Sequence, residues 1–359
     1  IPLLWSQTPT LAYKIPIRIA PPSVSHPLFE AHARELGGRY GATTAVSLAN
    51  ATGREGVLTR AYEGQAGAYA QHKGRSDDTK GSSAKESSAK ESSADGSSAS
   101  ARPPYRLVVF DFHKECGATR YERLSVLWDA IRDDSERFGY WFRDGAGAEA
   151  RQEGVLRTNC IDTLDRTNVV QGLLGRKHLE HVLARMGVLP QGRQLAESFA
   201  DLNVEFRALW ADHGDEISMQ YAGTGAMKSA FTRTGKRDVW GLLDDGIKSL
   251  TRYYLNNFQD GSKQDALDYV VGNFEPSKDA ATASFAPQAA PHSLVSLLIL
   301  FVSLAVRALF SFSGRGAAAV AHAVAYLALA MVMLSLLKRM GPKLVDRPRL
   351  RRDLAQPWK

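Results

Sequence analysis

The feature that most constrains this chain is the stretch 154–168, Gly-Val-Leu-Arg-Thr-Asn-Cys-Ile-Asp-Thr-Leu-Asp-Arg-Thr-Asn, in which five residues separate Cys160 from Arg166. The apolar run before Cys160 predicts a short strand. After Arg166, apolar residues recur at helical spacing as far as Gly187, which predicts a long amphipathic helix. A strand, a loop and a helix in this order indicate an α/β fold, with helices flanking a sheet.

The Cys-x5-Arg spacing is typical of cysteine-dependent phosphatases, and it has a physical reason. Five intervening residues let the backbone curve into a cradle, in which successive N–H groups and the helix N-terminus point at one phosphate. The same positive field should lower the pKa of Cys160 and favour the nucleophilic thiolate. Arg166 can then hold two phosphoryl oxygens bidentately. This interpretation requires an accessible thiol with the guanidinium facing it.

Three other side chains of the loop are candidate catalytic groups. Thr167 can donate a hydrogen bond to the thiolate or assist hydrolysis of a phosphocysteine. Asp162 and Asp165 would both repel a phosphate if they faced it ionised, so at most one should do so. We expect Asp162 to face the phosphate in its protonated form and to act as general acid, and Asp165 to face away and brace the loop.

The bare spacing also fits a buried cysteine before a helix that carries an exposed arginine. The longer string is more specific. Residues 157–168 resemble the signature of the Sac-domain phosphoinositide phosphatases, and of their membrane-anchored members in particular. The likeness runs, with one interruption, from the first residue to about Phe274. Further stretches that resemble this family are 4–7, 110–116, 220–226, 231–237, 252–254 and 256–258.

The resemblance implies hydrolysis of a monophosphate from a phosphoinositide headgroup, with phosphatidylinositol 4-phosphate the usual substrate of the anchored members. Such chemistry needs neither a metal nor a cofactor. The expected fold is a Cys-x5-Arg phosphatase-like sheet with flanking helices. The loop positions expected to bind the phosphate are Asn159, Ile161, Thr163 and Leu164.

A second set of candidates lies outside the loop. Residues 106–113 predict a strand that would place Asp111 and His113 on one face. No third metal ligand is evident beside them, so we expect a core or supporting role, with His113 or Lys114 at the rim of the site. A later cluster of basic residues consists of Lys228, Arg233, Lys236 and Arg237. Two interpretations are open: it forms a wall beside the phosphate site that attracts the headgroup, or it is a solvated basic face.

The two cysteines, Cys116 and Cys160, are too few for a disulfide framework and suit a reducing cytosolic setting. We expect Cys116 to be an inert buried thiol. The formal net charge of +7 is concentrated at the C-terminus, since residues 338–359 hold eight basic and two acidic residues. A basic tail that directly follows an apolar segment indicates an anionic membrane surface rather than nucleic acid.

Two apolar runs, 294–312 and 317–337, predict a transmembrane hairpin. The connection between them allows only a tight turn, so both outer ends would lie on one side, which the positive tail assigns to the cytosol. A thin bilayer such as that of the endoplasmic reticulum, or the Golgi, is the expected location. Buried helices of a soluble core and a shallow hairpin in one leaflet are the alternatives. Residues 275–293 are the predicted linker.

The predicted catalytic part, residues 1–274, contains one unusual segment. Residues 74–104 repeat Ser-Ser-Ala-Lys-Glu and contain Ala as their only aliphatic residue type, so they predict a disordered insert. It is either a regulatory loop or a tolerated surface insertion. The sequence opens without Met inside a family-like stretch, so we expect the C-terminal part of a longer protein, without the family's N-terminal subdomain.

Three functions follow from these observations. The first is an integral membrane enzyme that acts on the phosphoinositide lipids of its own bilayer. The second is a catalytically incomplete protein that binds lipid or tethers membranes through its hairpin and basic tail. The third is a protein-tyrosine phosphatase, which the acidic loop and the anchor make a weaker candidate. The sequence identifies no protein partner.

Overall fold

The computed structural model of the chain describes residues 2–8, 10–12, 15–82, 105–117, 120–143, 145, 147, 149–235, 239–274, 292–310 and 316–350. The chain divides into two compact units. The first comprises residues 1–6 and 17–246, and the second comprises residues 7–16 and 247–359. The Cys-x5-Arg loop belongs to the first unit.

The strands of the first unit form three small sheets among the described residues. They are β1 Trp5–Ser6, β2 Arg18–Ile19, β3 Ala42–Ser47, β4 Tyr105–Val109, β5 Phe142–Arg143, β6 Glu149–Ala150 and β7 Gly154–Asn159. The main sheet is parallel and has the order β4-β3-β7, while β1 pairs with β2 and β5 with β6 in antiparallel ladders. The prediction of an α/β fold is confirmed, and its main sheet is parallel.

Helices connect these strands and cover the sheet. Those of the first unit are α1 Pro22–Tyr40, α2 Gly56–Ser82, α3 Phe112–Cys116, α4 Leu124–Phe138, α5 Asp165–Arg185, α6 Leu195–Ser198, α7 Ala200–Ala222 and α8 Ser229–Thr234; α9 Val239–Phe258 continues from the first unit into the second. The predicted helix after Arg166 is α5.

Two segments differ from the sequence-based expectation. The predicted insert 74–104 begins inside α2, which extends to Ser82, and residues 83–104 lie outside the described part. The predicted strand 106–113 ends at Val109, because the Asp111 carboxylate accepts the N–H of Lys114 and starts α3. The expectation that Asp111 and His113 share a strand face is therefore wrong.

The sheet has a separate core on each side. Because side chains alternate along β3, Ala45 contributes to one cluster and Val46 to the other. The Val46 cluster lies under the Cys-x5-Arg loop and includes Phe112, Leu127 and Leu173. On the other side, the Phe29 ring meets three tyrosine rings edge to face. The loop thus sits on a close-packed support.

A buried carboxylate joins the sheet to α4. Asp134 is fully buried and accepts hydrogen bonds from Thr44 of β3 at 2.8 Å and Arg106 of β4 at 2.5 Å. Arg137 also pairs with it at 3.1 Å. Two cations and a hydroxyl offset the desolvation of this single charge, so the group can stay ionised inside the fold.

The second unit consists of helices. They are the C-terminal part of α9, α10 Asp260–Val270, α11 His292–Phe310 and α12 Gly316–Leu344. Among the described residues, Val320–Leu344 alone is long and apolar enough to cross a membrane, with a mean hydropathy of 2.2, while the apolar stretch Ser296–Ala308 is shorter. The helix α12 continues past the predicted end of the second span at Leu337. The predicted linker lies almost wholly outside the described residues.

Candidate active site

The site is built where the three parallel strands end. Ser47 at the end of β3 lies beside Val109 of β4 and Asn159 of β7, so the carboxyl ends of all three strands are level. The loops that follow these strands contribute Leu48 to Glu55, Phe110 to His113 and Cys160 to Arg166. This edge of a parallel sheet is where α/β proteins bind ligands.

The sulfur of Cys160 has three polar neighbours. It accepts the backbone N–H of Thr163 at 3.1 Å and the hydroxyl of Thr167 at 3.3 Å. Its own S–H donates to Oδ1 of Asp162 at 3.0 Å. The first two bonds would stabilise a thiolate, whereas the third requires the neutral thiol.

The expected lowering of the Cys160 pKa is not what the structure shows. Burial raises the pKa of Cys160, and the neighbouring carboxylate of Asp162 raises it further. Arg166 and Thr167 lower this pKa, but the opposing effects outweigh them. The expectation left out the burial of the sulfur, which is the largest cause, and took Asp162 to be neutral; together these two effects reverse the direction. In this conformation the thiol is protonated at neutral pH.

The expectation of an accessible thiol also needs correction, since Cys160 has 0% of its surface exposed. Asp162 and Thr163, by contrast, are exposed. Asp162 also accepts the N–H of Leu164 at 3.3 Å, and Thr163 has a positive φ of 58°. The sulfur is therefore buried while the acidic side chain bonded to it is exposed, and phosphate can reach the sulfur only if the loop changes conformation.

Arg166 is buried, and its guanidinium lies among acceptors of the β3 loop. Nη1 is 2.8 Å from Oε2 of Glu55 and Nη2 is 3.1 Å from Oε1, a bidentate ion pair. Nη1 also lies 3.2 Å from the carbonyl oxygen of Leu48 and 3.4 Å from Oδ1 of Asn50. Burial acts to raise the pKa of Glu55, but the hydrogen bond and charge of Arg166 outweigh it and lower that pKa.

His113 lies at the rim of the site, where the sequence analysis placed it. Its Nδ1 is 2.8 Å from Oδ1 of Asn50, so Nδ1 carries the proton and Nε2 is the acceptor when the ring is neutral. Burial lowers the pKa of His113, and the charges of Arg166 and Lys228 lower it further. Lys114 is exposed, and its backbone N–H donates to the Asp111 carboxylate that caps α3.

Asp165 faces away from the sulfur. Its Oδ1 accepts the backbone N–H of Met227 at 2.6 Å, which ties the first residue of α5 to the segment before α8. Asp215 accepts from the N–H of Ala226 at 2.8 Å and from the hydroxyl of Ser229 at 2.7 Å. The two carboxylates together fix the backbone that carries Lys228.

The two described residues of the predicted basic cluster have different surroundings. Lys228 adopts a left-handed backbone with φ of 67°, and its ammonium lies 5.3 Å from the centre of the Phe112 ring, next to His113 in sequence. Arg233 instead pairs with Asp212 at 2.5 Å at an exposed position. Lys236 and Arg237 lie outside the described residues. Of the two predicted residues that the structure describes, Lys228 is the one whose charge acts on His113.

The remaining residues predicted to bind phosphate are buried or half-buried, and two of them make hydrogen bonds within the chain. The side chain of Asn159 is buried and accepts from Arg157 at 2.8 Å. Leu164 is buried, and its carbonyl accepts the N–H of Asn168 at 2.9 Å at the start of α5. Ile161 is half-buried. Cys116 is buried, and its pKa is raised to about 11 by burial first and then by Glu115, which fits an unreactive thiol.

Glu55 and Asn50 were not predicted from the sequence. Each lies more than 100 positions before Arg166 in the sequence, and neither belongs to a catalytic motif. One signal was present: in a parallel sheet, the residues after each strand converge on one edge, so the polar residues that follow the apolar alternation of β3 were candidates.

Comparison with known proteins identifies similar chains. Residues 1–117 match a family model described as the SacI homology domain. The chain is 35% identical over 359 residues to phosphoinositide phosphatase SAC8 of Arabidopsis thaliana. The aligned region covers 98% of this chain and 54% of that protein.

Two animal proteins are similar as well. Phosphatidylinositol-3-phosphatase SAC1-B of Danio rerio is 38% identical over 275 residues, covering 76% of this chain and 42% of that protein. Phosphatidylinositol-3-phosphatase SAC1 of Drosophila melanogaster is 35% identical over 312 residues, covering 86% and 47% respectively. The chain thus spans about half the length of the relatives it matches.

Proposed function

The chain belongs to the Sac-domain family, and from this premise we propose that it is a phosphoinositide phosphatase that works through a phosphocysteine intermediate. The supporting observation is the sulfur of Cys160, which receives hydrogen bonds from the Thr163 amide and the Thr167 hydroxyl and lies close enough to Arg166 for their charges to interact. A nucleophile, thiolate donors and a guanidinium are the groups that phosphoryl transfer to sulfur needs.

The first step begins from the closed loop. An incoming phosphate monoester and the Asp162 carboxylate compete for one position above the sulfur, because both are anions attracted by the same N–H groups and guanidinium. As Asp162 leaves, it takes the proton of the Cys160 thiol along their hydrogen bond. This transfer creates the thiolate and neutralises the carboxylate, so the repulsion between carboxylate and phosphate disappears.

The thiolate then attacks phosphorus. An S–P bond forms while the bond from phosphorus to the inositol oxygen breaks, and the protonated Asp162 gives its proton to that oxygen. Arg166 holds two of the phosphoryl oxygens as charge develops on them. A water then attacks phosphorus, the S–P bond breaks, and inorganic phosphate leaves with the thiol restored. Thr167 stabilises the departing thiolate by its hydrogen bond.

The proposed substrate is a phosphatidylinositol that carries one phosphate. The family resemblance favours the 4-phosphate, whereas the two animal relatives are named for the 3-phosphate. Lys228, whose charge acts on His113, is placed to attract the anionic headgroup. Among monophosphates, we propose the 4-phosphate as the preferred substrate.

The proposed setting is the cytosolic face of a membrane of the endoplasmic reticulum or Golgi. The helix segment Val320–Leu344 is apolar and long enough to span, and 17% of its most apolar window is buried. We propose that α11 forms the second leg of a hairpin with α12, which would place the chain in the bilayer that holds its substrate.

The deciding experiment compares the chain in phosphoinositide-containing vesicles with its Cys160→Ser variant. The vesicles carry phosphatidylinositol 3-phosphate, 4-phosphate or 4,5-bisphosphate, and a phosphotyrosine peptide is assayed separately. Release of phosphate from the 4-phosphate by the chain but not by Cys160→Ser supports the proposal. Preference for the 3-phosphate would correct the position, and turnover of the peptide alone would indicate a protein-tyrosine phosphatase.

A non-enzymatic role has its own supporting observation, namely the covered thiol. Cys160 is fully buried under Asp162, and the guanidinium of Arg166 is bonded to Glu55. If the loop never opened, the chain would bind or tether membranes without turnover. Vesicle binding that is equal in the chain and in Cys160→Ser, with no phosphate released by either, would favour this function.

A further inference from the structure

We propose that Glu55 is a positioning residue for Arg166, which holds one edge of the guanidinium so that the other edge is presented to the phosphoryl group. This inference rests on the proposed phosphatase function. Glu55 follows β3, and its two carboxylate oxygens take one hydrogen bond each from Nη1 and Nη2 of Arg166, at 2.8 and 3.1 Å.

The inference follows from counting the donors of the guanidinium. Arginine has five N–H bonds in one plane: two on Nη1, two on Nη2 and one on Nε. The acceptors Leu48, Asn50 and Glu55 occupy both N–H bonds of Nη1, and Glu55 takes one from Nη2. Two N–H bonds are left, on Nε and Nη2, and within the described residues neither has an acceptor.

These two remaining bonds lie on the same edge of the guanidinium. Parallel N–H bonds on one edge match two oxygens of a phosphoryl group, the usual bidentate geometry. Besides Glu55, the charges of Cys160 and Asp162 raise the pKa of Arg166, so the sulfur lies near the guanidinium. The open edge is the one left to receive a phosphoryl group bonded to the sulfur, while Glu55 keeps the adjacent Nη1–Nη2 edge.

Arg166 needs such a partner because it is long and buried. Its side chain is 9% exposed and that of Glu55 is 10% exposed, so each charge would be costly without the other. A free arginine side chain also samples many rotamers, and this freedom must be lost before the guanidinium can bind in one orientation. A bidentate pair fixes both the position and the plane of the guanidinium before substrate arrives.

Glu55 is itself anchored. Its Oε2 accepts the N–H of Asn50 at 2.9 Å, and its carbonyl accepts the N–H groups of Leu58 and Thr59 in the first turn of α2. The Thr59 hydroxyl donates to the carbonyl of Asn50 at 2.9 Å. The carboxylate is thus a fixed link between the β3 loop and the catalytic loop.

The test uses Glu55→Gln, which keeps the size but removes the charge, and Glu55→Asp, which keeps the charge but shortens the side chain. Glu63→Gln is the matched control, because Glu63 is exposed on α2, the helix that begins directly after Glu55. We expect kcat for Glu55→Gln to fall by about 100-fold with KM changed less than about threefold, since a misplaced catalytic group acts mainly on the transition state. Glu55→Asp should regain part of the loss, and Glu63→Gln should match the parent chain.

A double-mutant cycle separates positioning from a merely structural role. In an Arg166→Ala background, Glu55→Gln should lower kcat further by less than about twofold, because the group it positions is gone. An unchanged or raised kcat in Glu55→Gln would overturn the proposal and show that Glu55 competes with phosphate. A full loss that persists in the Arg166→Ala background would overturn it as well.

Vanadate binding, measured by calorimetry, distinguishes failure of this inference from failure of the proposed function. Vanadate resembles the phosphoryl group in the transition state of its transfer, and its binding requires no lipid. We expect Glu55→Gln to bind vanadate at least about tenfold more weakly than the parent chain. If Cys160→Ser left lipid turnover intact while this loss was seen, the phosphocysteine mechanism would fail and the role of Glu55 would stand. Equal binding by the parent chain and Glu55→Gln, or no binding by the parent chain, would overturn the role of Glu55.

Discussion

The Sγ atom of Cys160 lies 3.0 Å from Oδ1 of Asp162 and donates a hydrogen bond to it, so the nucleophile and its nearest acid share one proton. The carboxylate is exposed and the sulfur is not. In the mechanism proposed above, breaking this hydrogen bond both moves the thiol proton to the acid and admits phosphate to the sulfur.

The thiol pKa should fall when this acid is made neutral. In Asp162→Asn the nearby negative charge is gone, so we expect the pKa of Cys160 to drop, while Arg166 and Thr167 continue to stabilise the thiolate. The measurement is the pH dependence of iodoacetamide labelling at Cys160, followed by mass spectrometry in a Cys116→Ser background. A labelling midpoint that stays fixed or moves to higher pH would contradict the assigned hydrogen bond.

Thr167→Val should slow turnover. The hydroxyl of Thr167 donates to the sulfur at 3.3 Å, and a hydrogen bond to a charged group contributes about 1.5–3 kcal/mol, which corresponds to roughly 10- to 100-fold in kcat. Thr167→Ser retains the hydroxyl and should keep most of the activity. If the valine and serine variants lost equal activity, the hydrogen bond from the hydroxyl to the sulfur would not explain the loss.

Asp165→Ala should destabilise the fold more than Asp165→Asn. Alanine leaves the N–H of Met227 without its acceptor, at a cost of about 1–3 kcal/mol in the free energy of unfolding, whereas asparagine keeps an oxygen there. Urea denaturation of both variants measures the difference. Asp129→Asn, at an exposed position on α4, is the control and should unfold like the parent chain.

The Glu55–Arg166 pair should contribute to acid sensitivity. The pKa of Glu55 is lowered in the folded chain, so its stabilising contribution is complete above the ordinary glutamate pKa of about 4.3 and is lost as pH falls through the lowered value. The difference in unfolding free energy between the chain and Glu55→Gln should be constant from about pH 6 to 7 and shrink below about pH 4. A difference independent of pH across that range would argue against an ionised pair.

Gly154→Ala should disturb the start of β7. A Cβ at this position would overlap the ring of Phe138, which is buried and has little freedom to move. Overpacking of this kind costs about 1–3 kcal/mol of stability. Gly64→Ala is the matched control, since a Cβ there meets nothing within 4 Å and lies on α2, where alanine is the better helix former. In thermal denaturation, the Tm of Gly154→Ala should lie below that of the parent chain, and the Tm of Gly64→Ala should lie above it.

The local parts of the site could be predicted from the sequence because they depend on spacing. The strand before Cys160, the loop and the helix after it occupy consecutive residues, and the observed β7 and α5 match them. Thr167 and Asp165 also have neighbours consistent with the predicted geometry, since their roles depend on their place in the loop.

The predictions that were wrong or missing concern properties that depend on side-chain surroundings and on contacts between residues far apart in the sequence. The pKa of Cys160 was predicted in the wrong direction because the loop sequence does not show that the sulfur is buried, and because Asp162 was taken to be neutral beside it. The strand at 106–113 was predicted too long because Phe110 and Phe112 alternate as in a strand, although Asp111 caps a helix between them. Glu55 could not be paired with Arg166 without the register of β3 against β7.

That register also determines how the site can be lost. The pairing of β3 with its two neighbours holds the three loops level, and a slip of one residue would turn every side chain of the slipped strand to the opposite face. Cys160 would then lose Arg166 altogether instead of moving slightly away from it. Chemical competence should accordingly be all-or-none: during folding or denaturation, activity should appear and vanish together with the ordered sheet, with no weakly active form between.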